Sequence, residues 1–183
     1  MKCQANNLLN NSITMRIKIS FIIIVLLIAF SAQSKNKGLK SDSDGSVSAL
    51  SDILRADVIS FAKKMLGTPY HFASSSPKKG FDCSGFVRYV FNNYKINLPR
   101  SSKSYDTVGK TLKPEEFKVG DVLVFYGFKD KKRIGHVGII CEADGMNSRF
   151  IHSSSGKAHG VTISDLGSAM YTKRFYKCVD VIN

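Results

Sequence analysis

One segment of the 183-residue chain constrains its fold more than any other: a cysteine at the start of a helix pattern. After Asp82, apolar residues recur at the spacing of an α-helix with one buried face, namely Phe86, Val87, Val90, Phe91 and Tyr94. Asp82 fits the N-cap position, so Cys83 lies in the first turn. Free backbone amides and the helix dipole favour an anion there, which predicts a stabilised Cys83 thiolate. The alternative role is that of a small buried hydrophobic residue.

Strand patterns follow the helix pattern, and two of them carry histidines. Residues 121–126 and 133–140 predict a β-hairpin with a lysine-rich connection, and residues 149–153 predict a further strand. Glycines flank His136 and leave room for another backbone or a substrate. If the strands are neighbours, His136 and His152 lie side by side, so that one imidazole takes the thiol proton and the other fixes its tautomer. The pattern predicts a thiol hydrolase, and two unrelated structural histidines are the alternative.

Five sequence blocks occur in one order over about residues 50–182. They are Gly67-Thr68-Pro69-Tyr70, Gly80-Phe81-Asp82-Cys83-Ser84-Gly85-Phe86-Val87, Leu98-Pro99-Arg100-Ser101-Ser102, Gly120-Asp121-Val122-Leu123-Val124-Phe125 and Gly135-His136-Val137-Gly138-Ile139. Together they resemble the NlpC/p60 family of bacterial cell-wall cysteine peptidases. The resemblance implies an α+β fold with a papain-like core, in which N-terminal helices, with the nucleophile at a helix start, pack on a central antiparallel sheet that carries the histidines.

The resemblance also implies an activity and a catalytic triad. The expected substrate is the stem peptide of peptidoglycan, cut between γ-linked D-glutamate and the diamino acid, which is meso-diaminopimelate or lysine. By carry-over Cys83 is the nucleophile, His136 the general base and then acid, and His152 the orienting third member. The backbone N–H of Cys83 is the expected oxyanion donor.

Three neighbouring residues are candidates for oxyanion or substrate binding: Tyr70, Asp82 and Ser84. Tyr70 matches a family tyrosine that lines the site, but it could instead cap the preceding helix. Asp82 matches a position that faces the free amino group of trimmed stem peptides, but it could be only a helix cap. A Gly-Gly pair that many family members carry is replaced here by a loop that begins at His71, which makes this histidine a cleft candidate, with an exposed loop residue as the alternative. His159 lies in a glycine-bounded turn and competes with the strand-borne histidine for the third catalytic place.

Residues 1–31 read as a leader followed by a secretory signal peptide. Residues 21–30 form an unbroken apolar run with basic residues before it and small residues after it, which predicts cleavage near Ser31. The run is shorter than the 20 or so apolar residues of a spanning helix. We expect an exported protein, either periplasmic or secreted and associated with the cell wall. Met1 and Met15 are both possible start residues.

Composition divides the remainder into two parts. Residues 32–49 are rich in Ser, Lys, Gly and Asp, which predicts a flexible spacer. Residues 50–183 are expected to form a single NlpC/p60-like peptidase domain. The domain opens with an amphipathic helix marked by Leu50, Ile53, Leu54, Val58, Phe61 and Met65.

Charge indicates the partners. The chain carries a net charge of +13, and residues 1–31 hold three of the cations and no acidic group, so the processed form keeps +10. A basic exported protein is attracted to an anionic cell-envelope surface. The signal peptide and the lack of an aromatic-basic motif argue against nucleic acid as a partner. We expect peptidoglycan stem peptides as substrate and a monomeric protein.

Cysteine usage leaves one question open and implies no prosthetic group. Cys141 and Cys178 could form a disulfide in an oxidising compartment, or both could be buried free thiols. No residues have zinc-ligand spacing, and no metal or cofactor is expected.

Two other functions are compatible with the sequence. One is a non-catalytic wall-binding protein that keeps the cleft. The other is the same thiol chemistry on a different substrate, as in a wall amidase, a hydrolase of γ-glutamyl polymers or an acyltransferase. The triad residues determine the reaction type, whereas the cleft loops determine the substrate.

Overall fold

A computed structural model describes residues 43–183. The predicted signal peptide and residues 32–42 of the predicted spacer lie outside the described residues. In chain order the elements are α1 (Ser43–Lys63), β1 (Ser75–Ser76), β2 (Gly80–Phe81), α2 (Cys83–Asn92), a 3-10 helix (Ser102–Thr107), β3 (Lys110–Leu112), a second 3-10 helix (Pro114–Glu116), β4 (Val122–Tyr126), β5 (Ile134–Glu142), β6 (Arg149–Ser154), β7 (Gly160–Asp165), α3 (Ala169–Thr172) and β8 (Phe175–Asp180).

The first helix begins earlier than the sequence predicts. Residues 43–49, which were assigned to the flexible spacer, are helical. Every side chain from 45 to 50 is exposed, so burial does not mark this helix start in the sequence. The prediction that Leu50 and Ile53 belong to the buried face is wrong, since they are 64% and 60% exposed. The buried face of α1 is formed instead by Arg55, Val58, Ile59 and Ala62.

Arg55 ties α1 to the sheet. Its guanidinium lies 2.7 Å from Asp121 Oδ1 and 2.8 Å from Asp180 Oδ1, and the Arg55 side chain is only 4% exposed. A buried charge is costly unless its ionic partner is present. A shift of α1 along the strands would separate Arg55 from its carboxylate partners, so this contact holds the helix in one position.

The nucleophile helix α2 forms as predicted. The side chain of Asp82 caps it by accepting a hydrogen bond of 2.7 Å from the backbone N–H of Gly85. A Cβ atom at Gly85 would collide with the carbonyl oxygen of Ser74, so only glycine fits this close approach. The apolar face of the helix is fully buried and consists of Phe86, Val87, Val90 and Phe91.

Six antiparallel strands form the central sheet in the order β3-β8-β4-β5-β6-β7. The predicted hairpin is the β4–β5 pair, and the predicted further strand is β6, which pairs directly with β5. These elements confirm the predicted α+β fold with a central antiparallel sheet. The described residues from Asp44 to Asn183 form one compact unit.

The sheet register brings the two predicted histidines together. Ile139 pairs with Ile151, and extending that register by one residue sets Gly138 opposite His152. A Cβ on Gly138 would lie 2.5 Å from the Phe150 ring and 3.1 Å from the Cβ of His152. The glycine therefore makes room for the side chains of β6 beside His136, rather than for the backbone or substrate that the sequence pattern predicts there.

Apolar clusters cover both faces of the sheet and separate the two remaining cysteines. Cys141 belongs to the cluster that includes α2, whereas Cys178 belongs to the cluster on the other face, around Phe125 and Phe150. Both thiols are free and buried. Of the two possibilities that the sequence leaves open, the structure has the pair of free thiols rather than the disulfide.

Within residues 43–183, no helix is both long and apolar enough to cross a membrane.

Candidate active site

The start of α2 brings Cys83 against the backbone of β5. Its Sγ lies 4.0 Å from the carbonyl oxygen of Gly135, which immediately precedes His136. The backbone N–H groups of Val137, Ser84 and Cys83 itself act to lower the pKa of this thiol. The thiol thus contacts the β5 residue that precedes the histidine, and two of the amides that act on its pKa belong to the first turn of the helix.

The net shift of the Cys83 pKa is opposite to the predicted one. Burial, followed by the negative charge of Asp82, raises the pKa to about 11, which outweighs the three amide contacts. The predicted stabilised thiolate is therefore wrong for the resting site: at neutral pH Cys83 is a thiol. A neighbouring base has to remove its proton when the substrate is attacked.

His136 and His152 form a direct hydrogen bond. His136 Nε2 lies 2.9 Å from His152 Nδ1, and the rings meet edge to face. His152 is fully buried, and its Nε2 lies 3.0 Å from Ser164 Oγ and 3.3 Å from the Tyr171 hydroxyl. The predicted side-by-side placement of the two imidazoles is confirmed.

Both imidazoles are neutral in this environment. Burial lowers the pKa of His136 well below 6.5, and the charges of His152 and Arg174 lower it further. Burial and Arg174 lower the pKa of His152 to about 3. If His136 Nε2–H donates to His152 Nδ1, then His152 Nε2–H donates to Ser164, and Nδ1 of His136 is left as an acceptor. This tautomer provides a base next to a protonated thiol.

Asp82 and Ser84 support the helix start. Asp82 makes a two-pronged ion pair with Arg100, at 2.9 Å from Oδ1 to Nη1 and 2.7 Å from Oδ2 to Nη2. The Ser84 hydroxyl donates to the backbone oxygen of Arg100 at 2.8 Å, and the Ser84 side chain is buried. Ser84 can therefore offer its backbone N–H, rather than its hydroxyl, to a bound molecule.

Tyr70 lies in the cleft, and the other two histidines do not join the pair. Since α1 ends at Lys63, Tyr70 does not cap it. Tyr70 forms a β-bridge with Phe81. Burial and the charge of Cys83 raise the pKa of the Tyr70 hydroxyl. The ring of His159 packs 5.8 Å from that of Tyr70. His71 is an exposed loop residue. His152 is thus the histidine that contacts His136.

Two cavities meet at Gly135, which lines both. The first, the acyl cleft, has a volume of about 560 Å³ and is lined by Tyr70, Phe72, Ala73, Asp82, Cys83, Ser84, Arg100, Ser101, Ser102, Lys103, Ile134 and Gly135. The second, the basic cavity, has a volume of about 490 Å³ and is lined by Phe128, Lys129, Gly135, His136, Ser154, Ser155, Gly156, Met170, Tyr171 and Arg174. In residues 43–183, no three His, Cys, Asp or Glu side chains are grouped so that they could hold a metal ion.

Four polar residues at the site are missing from the sequence-based prediction. Arg100 lies within a quoted block, Leu98-Pro99-Arg100, and its position there is the only signal that could have identified it. Ser164, Tyr171 and Arg174 have no motif or period of their own, because they reach the histidines through tertiary packing.

A thiol at a helix start that contacts the strand carrying the first of two hydrogen-bonded imidazoles is compatible with a thiol hydrolase. The family model described as NlpC/P60 family matches residues 67–180. The chain belongs to the NlpC/P60 family, and the resemblance found in its sequence is confirmed.

Known proteins of this kind are similar over most of the domain. The chain is 31% identical over 159 residues to the gamma-DL-glutamyl hydrolase of Bacillus subtilis (strain 168), which covers 85% of this chain and 35% of that protein. It is 34% identical over 112 residues to the probable endopeptidase NlpC of Escherichia coli (strain K12), at 61% and 68% coverage. The structure of the peptidoglycan hydrolase RipB from Mycobacterium tuberculosis has a TM-score of 0.57 at 28% identity, at 74% and 68% coverage. The chain thus spans about a third of the first relative.

Alkylation by iodoacetamide tests the protonation state of Cys83. Since the pKa of this thiol is about 11, we expect the alkylation rate to rise continuously through about pH 10 rather than to level off near neutrality. Asp82→Asn keeps a helix cap but removes the charge that raises the pKa, so this variant reacts faster at pH 7. Peptide mass spectrometry assigns the label, and buried Cys141 and Cys178 serve as slow internal controls. A rate plateau below pH 8, or a slower Asp82→Asn variant, contradicts the assignment.

Substitution of His152 by Asn or Leu tests its orienting role. Asn keeps an acceptor for His136 Nε2, whereas Leu fills the buried space without one. We expect His152→Leu to lower kcat by about 10²-fold because the base loses its tautomer and position, and His152→Asn to retain more activity. Circular dichroism and thermal unfolding establish that both variants fold. Equal losses in two folded variants contradict an orienting hydrogen bond.

Proposed function

We propose that this protein is an exported peptidoglycan hydrolase, a cysteine endopeptidase with the triad Cys83, His136 and His152. The observation that carries the proposal is the contact of the Cys83 sulfur with Gly135, the residue that precedes His136, whose imidazole hydrogen-bonds to that of His152. Membership of the NlpC/P60 family supports this chemistry. The proposed scissile bond joins γ-D-glutamate to the diamino acid of the stem peptide.

The first half-reaction forms an acyl-enzyme. His136 Nδ1 accepts the Cys83 proton as the sulfur attacks the γ-carbonyl carbon, and His152 stabilises the resulting imidazolium through its Nδ1. The backbone N–H of Cys83, in the first turn of α2, is the proposed oxyanion donor, and Tyr70 lines the same cleft. When the tetrahedral intermediate collapses, His136 gives its proton to the leaving amine, and a thioester remains on Cys83.

The second half-reaction returns the enzyme to its resting state. Water loses a proton to His136 as it attacks the thioester carbon, and the new tetrahedral intermediate expels the Cys83 sulfur. The sulfur takes the proton back from the imidazolium, which regenerates the neutral thiol and imidazole. The raised pKa of Cys83 and the lowered pKa of His136 favour this neutral pair between turnovers.

Asp82 is the proposed contact for a free alanine amine on the acyl side. Within residues 43–183 its Oδ2 accepts a hydrogen bond only from Arg100, whereas Oδ1 serves the helix cap as well. A carboxylate oxygen has two lone pairs, so Oδ2 can accept from a substrate ammonium while it keeps the ion pair. Asp82 lines the same cleft as Cys83, which supports this role.

The proposed place of action is the cell envelope. Cleavage of the predicted signal peptide removes residues 1–31, and the processed chain keeps a net charge of +10. Long-range attraction between this basic protein and an anionic envelope surface raises its local concentration there, and added salt weakens the attraction. The peptidoglycan-directed relative RipB supports the same compartment.

Hydrolysis of a γ-glutamyl polymer is the second candidate function. It is favoured by the similarity to the gamma-DL-glutamyl hydrolase of Bacillus subtilis, which extends over 85% of this chain. The chemistry is the same attack on a γ-linked carbonyl, and the two functions differ only in what the leaving amine carries.

Digestion of defined muropeptides tests the proposal. The chain and its Cys83→Ala variant are incubated with stem peptides that begin with a free L-alanine amine, with the same peptides on their sugar, and with poly-γ-glutamate. We expect cleavage between D-glutamate and the diamino acid, read by mass spectrometry, and a loss of at least about 10⁴-fold in Cys83→Ala because the nucleophile is absent. Preference for the free amine, reduced in Asp82→Asn, supports amine recognition.

Three results would contradict the proposal. Cleavage of poly-γ-glutamate alone assigns the second function, and a folded protein that leaves every substrate intact while iodoacetamide labels Cys83 rejects the endopeptidase. Turnover that survives in Cys83→Ala rejects the nucleophile.

A further inference from the structure

Arg174 is an almost fully buried cation without an anionic partner. It is 9% exposed, and the only hydrogen bond of its side chain within residues 43–183 runs from Nε to the backbone oxygen of Tyr126 at 2.9 Å. No carboxylate in that part of the chain lies within ion-pair distance of it. Phe128 and Tyr171 hold the guanidinium between their rings, at 5.7 Å and 5.9 Å. Nη1 and Nη2 of Arg174 are not among the buried unpaired nitrogen atoms of the described residues, so they stay accessible to an anion.

The guanidinium lines the basic cavity. Lys129 adds a second cation there, and no Asp or Glu is among the described residues of its wall. Apart from His136, the remaining wall is apolar or hydroxylic, including Met170 and Ser154. A site with two cations, apolar walls and donor groups suits a small organic anion, and a guanidinium matches the geometry of a carboxylate.

The cavity lies on the side of the site that receives the leaving group. His136, the group that protonates the leaving amine, lines this cavity, whereas Cys83, which keeps the acyl part, lines the other one. Gly135 belongs to both walls, so a substrate that crosses it places its acyl part by Asp82 and its amine part by Arg174.

We propose that the basic cavity is the subsite for the leaving residue and that Arg174, assisted by Lys129, binds a carboxylate of that residue. The inference rests on the proposed function and deepens it. The side chain of a diaminopimelate leaving residue ends in a carbon that carries both an ammonium and such a carboxylate, whereas the side chain of lysine ends in the ammonium alone. A stem that ends at the diamino acid supplies a carboxylate at its terminus. If Arg174 binds the side-chain carboxylate, the subsite favours diaminopimelate over lysine. If it binds the terminal carboxylate, the subsite favours stems that end at the diamino acid over longer stems.

Three matched peptides separate the two carboxylates. They are L-Ala-γ-D-Glu-meso-diaminopimelate, the same peptide with its side-chain carboxylate as a carboxamide, and the same peptide with a terminal carboxamide. We expect kcat/KM to fall about 10- to 100-fold for the amide that removes the bound carboxylate, the usual value of one hydrogen bond to a charged group. The peptide that loses rate identifies which carboxylate binds. Equal rates for all three overturn the inference.

Charge-removing variants connect this preference to the cavity. Lys129→Gln and Arg174→Gln should shrink the acid-over-amide ratio, with the larger change for Arg174. Lys173→Gln is the matched control, because it removes the same charge from an exposed neighbour outside the cavity and should keep the ratio of the unaltered protein. If Arg174→Gln does not fold, exposed Lys129 still provides the test. A ratio unchanged in folded Lys129→Gln and Arg174→Gln variants overturns the inference.

Binding without turnover separates this inference from the proposed function. Calorimetry with the Cys83→Ala protein measures the affinity for each of the three peptides. If the peptide with both free carboxylates binds more tightly than an amide, and this difference depends on Arg174, the result supports the subsite even when no peptide is cleaved. In that case only the proposed endopeptidase activity is rejected. Cleavage with equal affinity for acid and amides leaves the endopeptidase standing and overturns the subsite.

Discussion

The contact between the first turn of α2 and the backbone of β5 is the interaction on which the site depends. It sets the Cys83 sulfur against the carbonyl oxygen of Gly135, the residue that precedes His136. The fully buried apolar face of α2 packs the helix against the sheet. The Asp82 cap and its ion pair with Arg100 fix where the helix begins. Errors in this placement would move the nucleophile relative to its base.

Burial of the site has a consequence for its resting charge. Removing the thiol and the imidazoles from water disfavours every charged form, so the pKa of Cys83 is raised while those of His136 and His152 are lowered. A neutral site is stable without counter-ions, and charge appears only as the substrate reacts. The exception is Arg174, a cation without a carboxylate partner in the described residues, whose charge lowers the pKa of both histidines and which lines the cavity beside His136.

The sequence predicts the features that depend on local pattern. The helix after Asp82 follows from its apolar period, and the adjacency of His136 and His152 follows from the strand patterns. The earlier start of α1 carries no such signal, because side chains 45–50 are all exposed. The direction of the Cys83 pKa shift is also hidden, since it is a sum of burial, a carboxylate and three amides of opposite sign. Residues that contact the histidines, such as Ser164 on β7, are brought to the site by strand pairing and belong to no sequence motif.

Capture of the acyl-enzyme tests the central claim most directly. The protein is mixed with L-Ala-γ-D-Glu-meso-diaminopimelate, quenched in acid during turnover, digested and mapped by tandem mass spectrometry. The account predicts a thioester of the L-Ala-γ-D-Glu unit on Cys83, absent from Cys83→Ala. An adduct on another residue, or hydrolysis at an undiminished rate in Cys83→Ala, would contradict it.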